Sequence, residues 1–319
     1  MSLAEFALIE RIRARARGRE DIVLGIGDDA ALLQPRADHW LAVTADTLNS
    51  GVHFPPETLP ADIGWKTLAV NLSDLAAMGA TPAWGTLALS LPQADLGWVD
   101  AFADGFFALA DAHDWRLIGG DTTRGPLSLS VTAFGQIPQG MALRRDGAQV
   151  GDDVWVSGTL GDAAGALRLW QSGVLDVTRP ADDPQREYLR QRLLRPTPRI
   201  ALGIALRGIA TAAVDVSDGL LADLGHIAER SGLGFEVEAA RLPVSAPLRA
   251  CYGEAVAWQC ALAGGDDYEL CITASPVHRE ALQAMGDTGA VLTRIGRAVS
   301  GAGVRCEAAG DACGYEHFS

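Results

Sequence analysis

Six short segments of this chain set carboxylates beside glycine or small hydroxyl residues: GIGDD (Gly25 to Asp29), TADT (Thr44 to Thr47), NLSD (Asn71 to Asp74), GGDTTRG (Gly119 to Gly125), DVSDG (Asp215 to Gly219) and GGDD (Gly264 to Asp267). Glycine lets backbone come close to a ligand and reach positive φ. Aspartate oxygens are hard ligands suited to Mg2+, which is commonly held by one or two carboxylates together with substrate phosphates. Together the segments have the make-up of a Mg-phosphate site. Each taken singly serves equally well as a turn or a helix cap, because Asp and Gly are also the residues those positions favour. Asp74 stands apart: it falls inside a predicted helix, where Asp is disfavoured, with Asn71 and Met78 beside the stripe of Leu68, Leu72 and Leu75. That polar flank suits a group held toward a cleft, with plain solvent exposure as the alternative.

The elements that must position these groups follow from hydrophobic period. The opening residues predict a surface helix with Phe6, Ile9 and Ile12 facing inward and Ser2 and Glu5 as a capping box. DIVLGIGDDAALL and HWLAVTADTL read as two strands. A helix follows over about Ala61 to Met78, then the strand WGTLALSLP, a helix from about Leu96 to His113, the short strand WRLIGGD, and LSLSVTAFGQI, which alternates with the period of a half-buried strand. Between Pro138 and Asp153 the pattern breaks into Gly and polar residues, which marks a domain boundary. The second half restarts with the strand VWVSG and an Ala/Leu helix; later, AAVDVSDGLLADLGHIAERSGLGFEVEA reads as strand, turn, helix, glycine stop and strand. The expectation is an α+β (mixed α/β) protein of two domains, divided as residues 1–145 and 146–319.

Composition narrows the chemistry. The chain has 319 residues, 40 acidic against 26 basic, a formal charge of −14, and 48% hydrophobic residues. This is globular, and its acidity excludes a surface that coats nucleic acid. Lys66 is the single lysine, so any mechanism requiring one has one candidate. The five cysteines, Cys251, Cys260, Cys271, Cys306 and Cys313, show no C-x-x-C spacing, which indicates neither a zinc site nor a disulfide framework and fits a reducing cytoplasm. No apolar run spans a bilayer, and the N-terminus lacks a signal-peptide core, so neither membrane nor secretion is expected. No phosphate-loop motif, kinase glycine loop or G-x-S-x-G is present. GIGDDA does satisfy G-x-G-x-x-A, but Asp28 and Asp29 would repel a pyrophosphate at that helix start. His39, His113, His226, His278 and His317 are scattered and match no ligand pattern.

LGIGDDAALL, VTADTLNSGVHF, WKTLAVNLSDLAAMGATPAW, LIGGDTTRGPLS, AVDVSDGLLADLGHIA, GGDDYELCIT and the terminal GYEHF, in this order from about Glu5 to Phe318, resemble the bacterial thiamine-monophosphate kinase family. The resemblance implies the fold of the aminoimidazole-ribonucleotide synthetase superfamily. That is an N-terminal α/β domain whose mixed sheet pairs in a homodimer, and a C-terminal α+β domain, with ATP and several Mg2+ ions in the cleft between them. The reaction implied is ATP-dependent phosphorylation of thiamine monophosphate to thiamine diphosphate. Carried over position by position, metal ligation falls on Asp29, Asp46, Asp74, Asp121, Asp215 and Asp218, with Thr44 beside the metals. ATP contacts fall on Gly120, Asp121, Arg145 and Ser217, and substrate contacts on His53, Asp266 and Tyr315.

Two positions depart from the family pattern. Ala45 stands where Thr often precedes the motif's Asp, and Asp266 stands where GGEDYEL is usual, one methylene shorter. The alternatives are a sister synthetase of the superfamily, which phosphorylates another oxygen, or a metal-dependent phosphohydrolase using water on the same aspartates. The N-terminal Cys-Lys of a selenophosphate synthetase and the C-terminal Cys of a hydrogenase-maturation relative are both missing.

Overall fold

The structure, a computed structural model, describes residues 3–288, 291–308 and 314, so Tyr315 and Ser2 lie outside the described residues. The chain divides into two compact units. One runs to Leu75 and resumes over Ala80–Gly140; the other takes Ala76–Gly79 and Met141 onward.

The first unit opens with helix α1 (Leu3–Arg13), followed by two short paired strands, β1 (Ile22–Leu24) and β2 (Leu32–Leu33). Then come β3 (His39–Asn49), α2 (Pro60–Ala77), β4 (Thr81–Leu91), α3 (Leu96–Ala112), β5 (Arg116–Arg124) and β6 (Ser128–Pro138). The four long strands form one mixed sheet in the order β3-β6-β4-β5, with β4 and β5 parallel and the other pairs antiparallel. Along β6 the side chains alternate, and Leu129, Val131 and Ala133 are fully buried. Helices α2 and α3 touch backbone to backbone: a Cβ on Gly64 would lie 2.1 Å from the Phe102 carbonyl oxygen, and one on Gly105 would lie 1.8 Å from that of Ala61. Any larger residue at either position would push the helices apart.

Two expectations about this unit need correction. DIVLGIGDDAALL is not one strand but two short ones separated by a loop, because Gly27 adopts φ 128° and Asp28 and Asp29 turn outward into water. Among the described side chains of α1, Leu8 and Ile12 are buried, while Phe6 is 54% exposed. Arg11 of the helix pairs with Asp100, and Arg15 just after it bonds the Asp104 carboxylate and the Asp100 carbonyl on α3, so these contacts set the face the helix turns inward.

The second unit contains β7 (Asp153–Ser157), α4 (Asp162–Gln171), α5 (Pro184–Leu194), α6 (Ile200–Ala205), β8 (Ala210–Val216), α7 (Leu220–Ser231), β9 (Gly234–Val237), α8 (Ala246–Ala263), β10 (Glu269–Ala274), α9 (Arg279–Gln283), β11 (Leu292–Val299) and β12 (Gly303–Cys306). Six strands form one sheet in the order β12-β9-β11-β7-β10-β8, antiparallel except for β12 with β9. Leu169, Leu193, Leu224, Ile227 and Leu248 from the helices close over Val156, Val214 and Ile295 of the strands. Helix α7 ends where the sequence sets glycine, with Gly232 in the left-handed region at φ 66°. β8 is an edge strand, so the turn after Val216 is carried at the margin of the sheet.

Candidate functional site

In the first unit, β3 and α2 bring three of the expected groups together. The Thr44 hydroxyl donates to the Asp74 carboxylate. One turn earlier on α2, the Asn71 amide oxygen accepts the Asp46 N–H at 3.2 Å, and the Asn71 amide group donates to the Thr67 carbonyl at 3.1 Å. Asn71 is fully buried, so β3 is tied to the helix by a side chain with fixed orientation, while Asp74 beside it remains part-exposed. Alternation along β3 puts Thr44, Asp46 and the buried Leu48 on one face. Thr44, Asp46 and Asp74 thus present hydroxyl and carboxylate oxygens in one place.

Gly120 and Asp121 lie at the far edge of the same sheet. Asp46 pairs with Val131, Val131 with Leu87, and Leu87 with Gly120. The two ends of that row are separated by three interstrand steps, ~14 Å. Gly120 has φ 153°, and a Cβ there would lie 1.9 Å from the Leu87 carbonyl oxygen, so β5 requires glycine at that position. Asp121 is exposed, as is Asp29 in the loop between β1 and β2, where its N–H donates to Asp28 at 2.8 Å. Within this chain Asp121 is not gathered with the Thr44 and Asp74 pair.

His53 sits in the turn after β3, where its Nδ1 accepts the Asn49 N–H at 2.9 Å. Its carbonyl accepts from the ammonium of Lys66 at 2.9 Å. The lone lysine is 2% exposed on α2, so it shapes the His53 turn rather than reaching into solvent.

In the second unit Asp215 is buried at the end of β8, and the Ser217-Asp218-Gly219 turn leads into α7. One oxygen of Asp223, a buried residue in the first turn of α7, accepts the N–H groups of Ser217, Asp218 and Gly219 at 3.0, 3.0 and 3.2 Å. Burial pushes the Asp223 carboxyl up to about 7, against these N–H donors, which favour its ionised form. The carboxylate fills the anion-binding start of the helix, a place that in other proteins receives phosphate. The turn's orientation is thereby set from below, with Ser217 and Asp218 left part-exposed. Arg145 is exposed near this turn; its positive charge acts on Asp223, and its carbonyl accepts from Ser231 at 2.8 Å.

The GGDD segment is joined to the same turn. The Asp266 N–H donates to the Ser217 carbonyl, and the Tyr268 N–H donates to the Val216 carbonyl, both at 2.8 Å. A Cβ on Gly265 would lie 2.4 Å from the Ser217 oxygen. Asp267 points inward and accepts the Gly161 N–H at 2.6 Å, and burial pushes its carboxyl well above the usual carboxylate range. Glu269, fully buried, is held by Arg199 in a bidentate contact through Nε and Nη2 on one guanidinium edge, by Arg192 at 3.0 Å and by Ser157 at 2.6 Å.

Asp223, Glu269 and Lys66 carry structural roles around the site that motif reading missed. Their signal was weak: an Asp in a helix's first turn, a Glu opening a strand, and a Lys on the same helix as Asp74. Tyr315 lies outside the described residues. Among the described residues no group of three or more His, Cys, Asp or Glu is arranged as a metal cage. Thr44, Asp46 and Asp74, and separately Asp121, offer only hard oxygen, which suits Mg2+, an ion usually completed by water and substrate phosphate rather than enclosed by protein. Free Cys251, Cys260, Cys271 and Cys306 take no part, and burial raises the Cys271 thiol.

The AIR synthase related protein N-terminal domain family matches residues 27–137, and the C-terminal domain family matches residues 149–308. The chain is 51% identical over 299 residues to a thiamine-monophosphate kinase of Salmonella typhimurium, covering 93% of this chain and 91% of that one. The crystal structure of a thiamine-monophosphate kinase from Stenotrophomonas maltophilia is 67% identical and superposes with a TM-score of 0.91, covering 97% of this chain and 98% of that one. AaThiL complexed with AMPPCP and TMP is 33% identical with a TM-score of 0.80, covering 100% and 99% of the two chains.

Proposed function

This chain belongs to the thiamine-monophosphate kinase family of AIR synthase related proteins, and from that premise we propose how its residues carry out ATP-dependent phosphorylation of thiamine monophosphate. The observation that carries the reading is end-to-end agreement with a relative complexed with AMPPCP and TMP, spanning 100% of this chain.

The products are ADP and thiamine diphosphate. The acceptor is a phosphate already anionic at neutral pH, so the step requires no general base; positioning and charge stabilisation do the work. We assign Thr44, Asp46 and Asp74, together with Asp29, Asp121, Asp215 and Asp218, to holding Mg2+. When bound, Mg2+ neutralises the phosphoryl oxygens of donor and acceptor. The residues around these ligands keep them in place: the Thr44 hydroxyl orients the Asp74 carboxylate, and buried Asn71 fixes the β3 backbone at Asp46. Gly120, Asp121, Arg145 and Ser217 are assigned to ATP, with Gly120 permitting close approach of the backbone and Asp223 aiming the Ser217 turn. His53, Asp266 and Tyr315 are assigned to thiamine monophosphate.

We assign residues 1–145 to nucleotide and metal binding and to dimerisation, and residues 146–319 to completing the active site. The homodimer reading is supported by Leu41 and Val43, which are 46% and 58% exposed on edge strand β3. The described helices include none long and apolar enough to cross a membrane. Four free cysteines support a cytoplasmic setting.

The test is an end-point assay with Mg-ATP, with and without thiamine monophosphate. Thiamine diphosphate formed in step with ADP, and neither without acceptor, is the expected result. ADP released regardless of acceptor would move the reading to a hydrolase.

A further inference from the structure

The GGDDY loop is built to hold one side chain still. Asp266 and Tyr268 both adopt left-handed backbone, at φ 69° and 51°, a conformation that non-glycine residues take at a cost and that persists where surrounding structure over-determines it. The surroundings do so here. Asp267 and Glu269 alternate with them and are anchored inside, on the Gly161 N–H and on Arg199, Arg192 and Ser157 respectively. The N–H groups of Asp266 and Tyr268 are both spent on the strand end at Val216 and Ser217. The strained backbone brings the part-exposed Asp266 and the buried Tyr268 together, so that the Tyr268 hydroxyl donates to Asp266 Oδ1 at 3.0 Å.

We propose that Tyr268 is a positioning residue for thiamine monophosphate that acts through Asp266, setting where the short carboxylate points. The proposal rests on the assignment of Asp266 to the substrate. A thiazolium cation and an aminopyrimidine both complement a carboxylate, but the carboxylate's direction decides whether it meets them. A phenol that stays protonated at neutral pH donates without competing for the cation. The ring is held in place by burial, Tyr268 being 9% exposed, and its backbone leads directly into β10.

Steady-state kinetics on Tyr268→Phe, Asp266→Ala and the double variant test this, with melting temperatures measured alongside. Tyr268→Phe is expected to raise KM for thiamine monophosphate about 5- to 10-fold, the size of effect that losing one ordinary hydrogen bond produces. KM for ATP and kcat should stay within about twofold, with the melting temperature little changed. In the Asp266→Ala background the same change should add nothing, since a residue acting through Asp266 has nothing left to position. An unchanged KM in Tyr268→Phe, an equal effect with and without Asp266, or a rise in both KM values together with a lower melting temperature would each overturn the proposal. An unchanged KM in Asp266→Ala would instead overturn the substrate assignment itself, and this inference with it.

Discussion

The β3 and α2 site of the first unit and the paired turns of the second use the same residue type in opposite ways. On β3 and α2, Asp46 and Asp74 are part-exposed; the Asn71 amide oxygen holds the Asp46 backbone N–H, and the Thr44 hydroxyl donates to the Asp74 carboxylate. In the second unit Asp223, Asp267 and Glu269 are buried and turned inward, accepting backbone N–H groups or arginines. A carboxylate kept near water has an oxygen face open to a ligand. A carboxylate fully spent on buried donors shapes backbone instead. The outer aspartates Asp218 and Asp266 stand on that buried layer.

This contrast is most exposed to failure at Asp74. Asp74→Asn is expected to lower kcat by at least 100-fold while the unfolding free energy changes by less than about 1 kcal/mol, because removing one of several repelling carboxylates seldom costs stability. Turnover assays and denaturant unfolding on the same preparation check it, and wild-type turnover would remove the metal assignment. Glu269→Ala should do the reverse. It leaves Arg199 and Arg192 without their buried partner, at a cost of about 3–5 kcal/mol, read as a fall in denaturant midpoint. A variant of full stability would show that the buried layer does not brace the loop.

The smallest effect tests buried against part-exposed acids within one unit. Glu187, paired with Arg190 and bonded by Gln191 and the Ala181 N–H, has its carboxyl lowered to about 2, with the Arg190 hydrogen bond the largest cause. A depressed carboxyl contributes stability that is fully present above its ordinary pKa near 4.5 and is lost as pH falls toward 2. Glu187→Gln should therefore lower the melting temperature at pH 7, by the equivalent of at most about 2 kcal/mol once partial exposure is discounted. The gap to wild type should close as pH falls through that window. A gap independent of pH would mean that packing, not charge, explains Glu187.

Much of the molecule was legible from its residues alone. The period of α3 and the alternation of β6 announced both elements nearly to the residue, and Gly232 marked the end of α7. Asp74 was conspicuous because an aspartate inside a helix needs a reason, and Thr44 supplies one. GIGDD misled, because apolar residues on both sides suggested a continuous strand where positive φ at Gly27 breaks it. Phe6 misled because helical period defines a stripe but not which part of it finds a partner; the ion pairs of Arg11 and Arg15 with α3 decided that.

By itself the sequence determined the chemistry available: clustered carboxylates, scarce lysine, glycines where backbone must bend or approach, and the order of elements that display them. These are local properties, set by residue type and spacing. Only the tertiary structure decided which carboxylates remain at the surface and which are consumed inside, that Lys66 serves a carbonyl, and that Tyr268 meets Asp266. Burial and hydrogen bonding depend on which distant segments meet, and two aspartates as alike in sequence as Asp266 and Asp267 part company only when one side chain turns into the core.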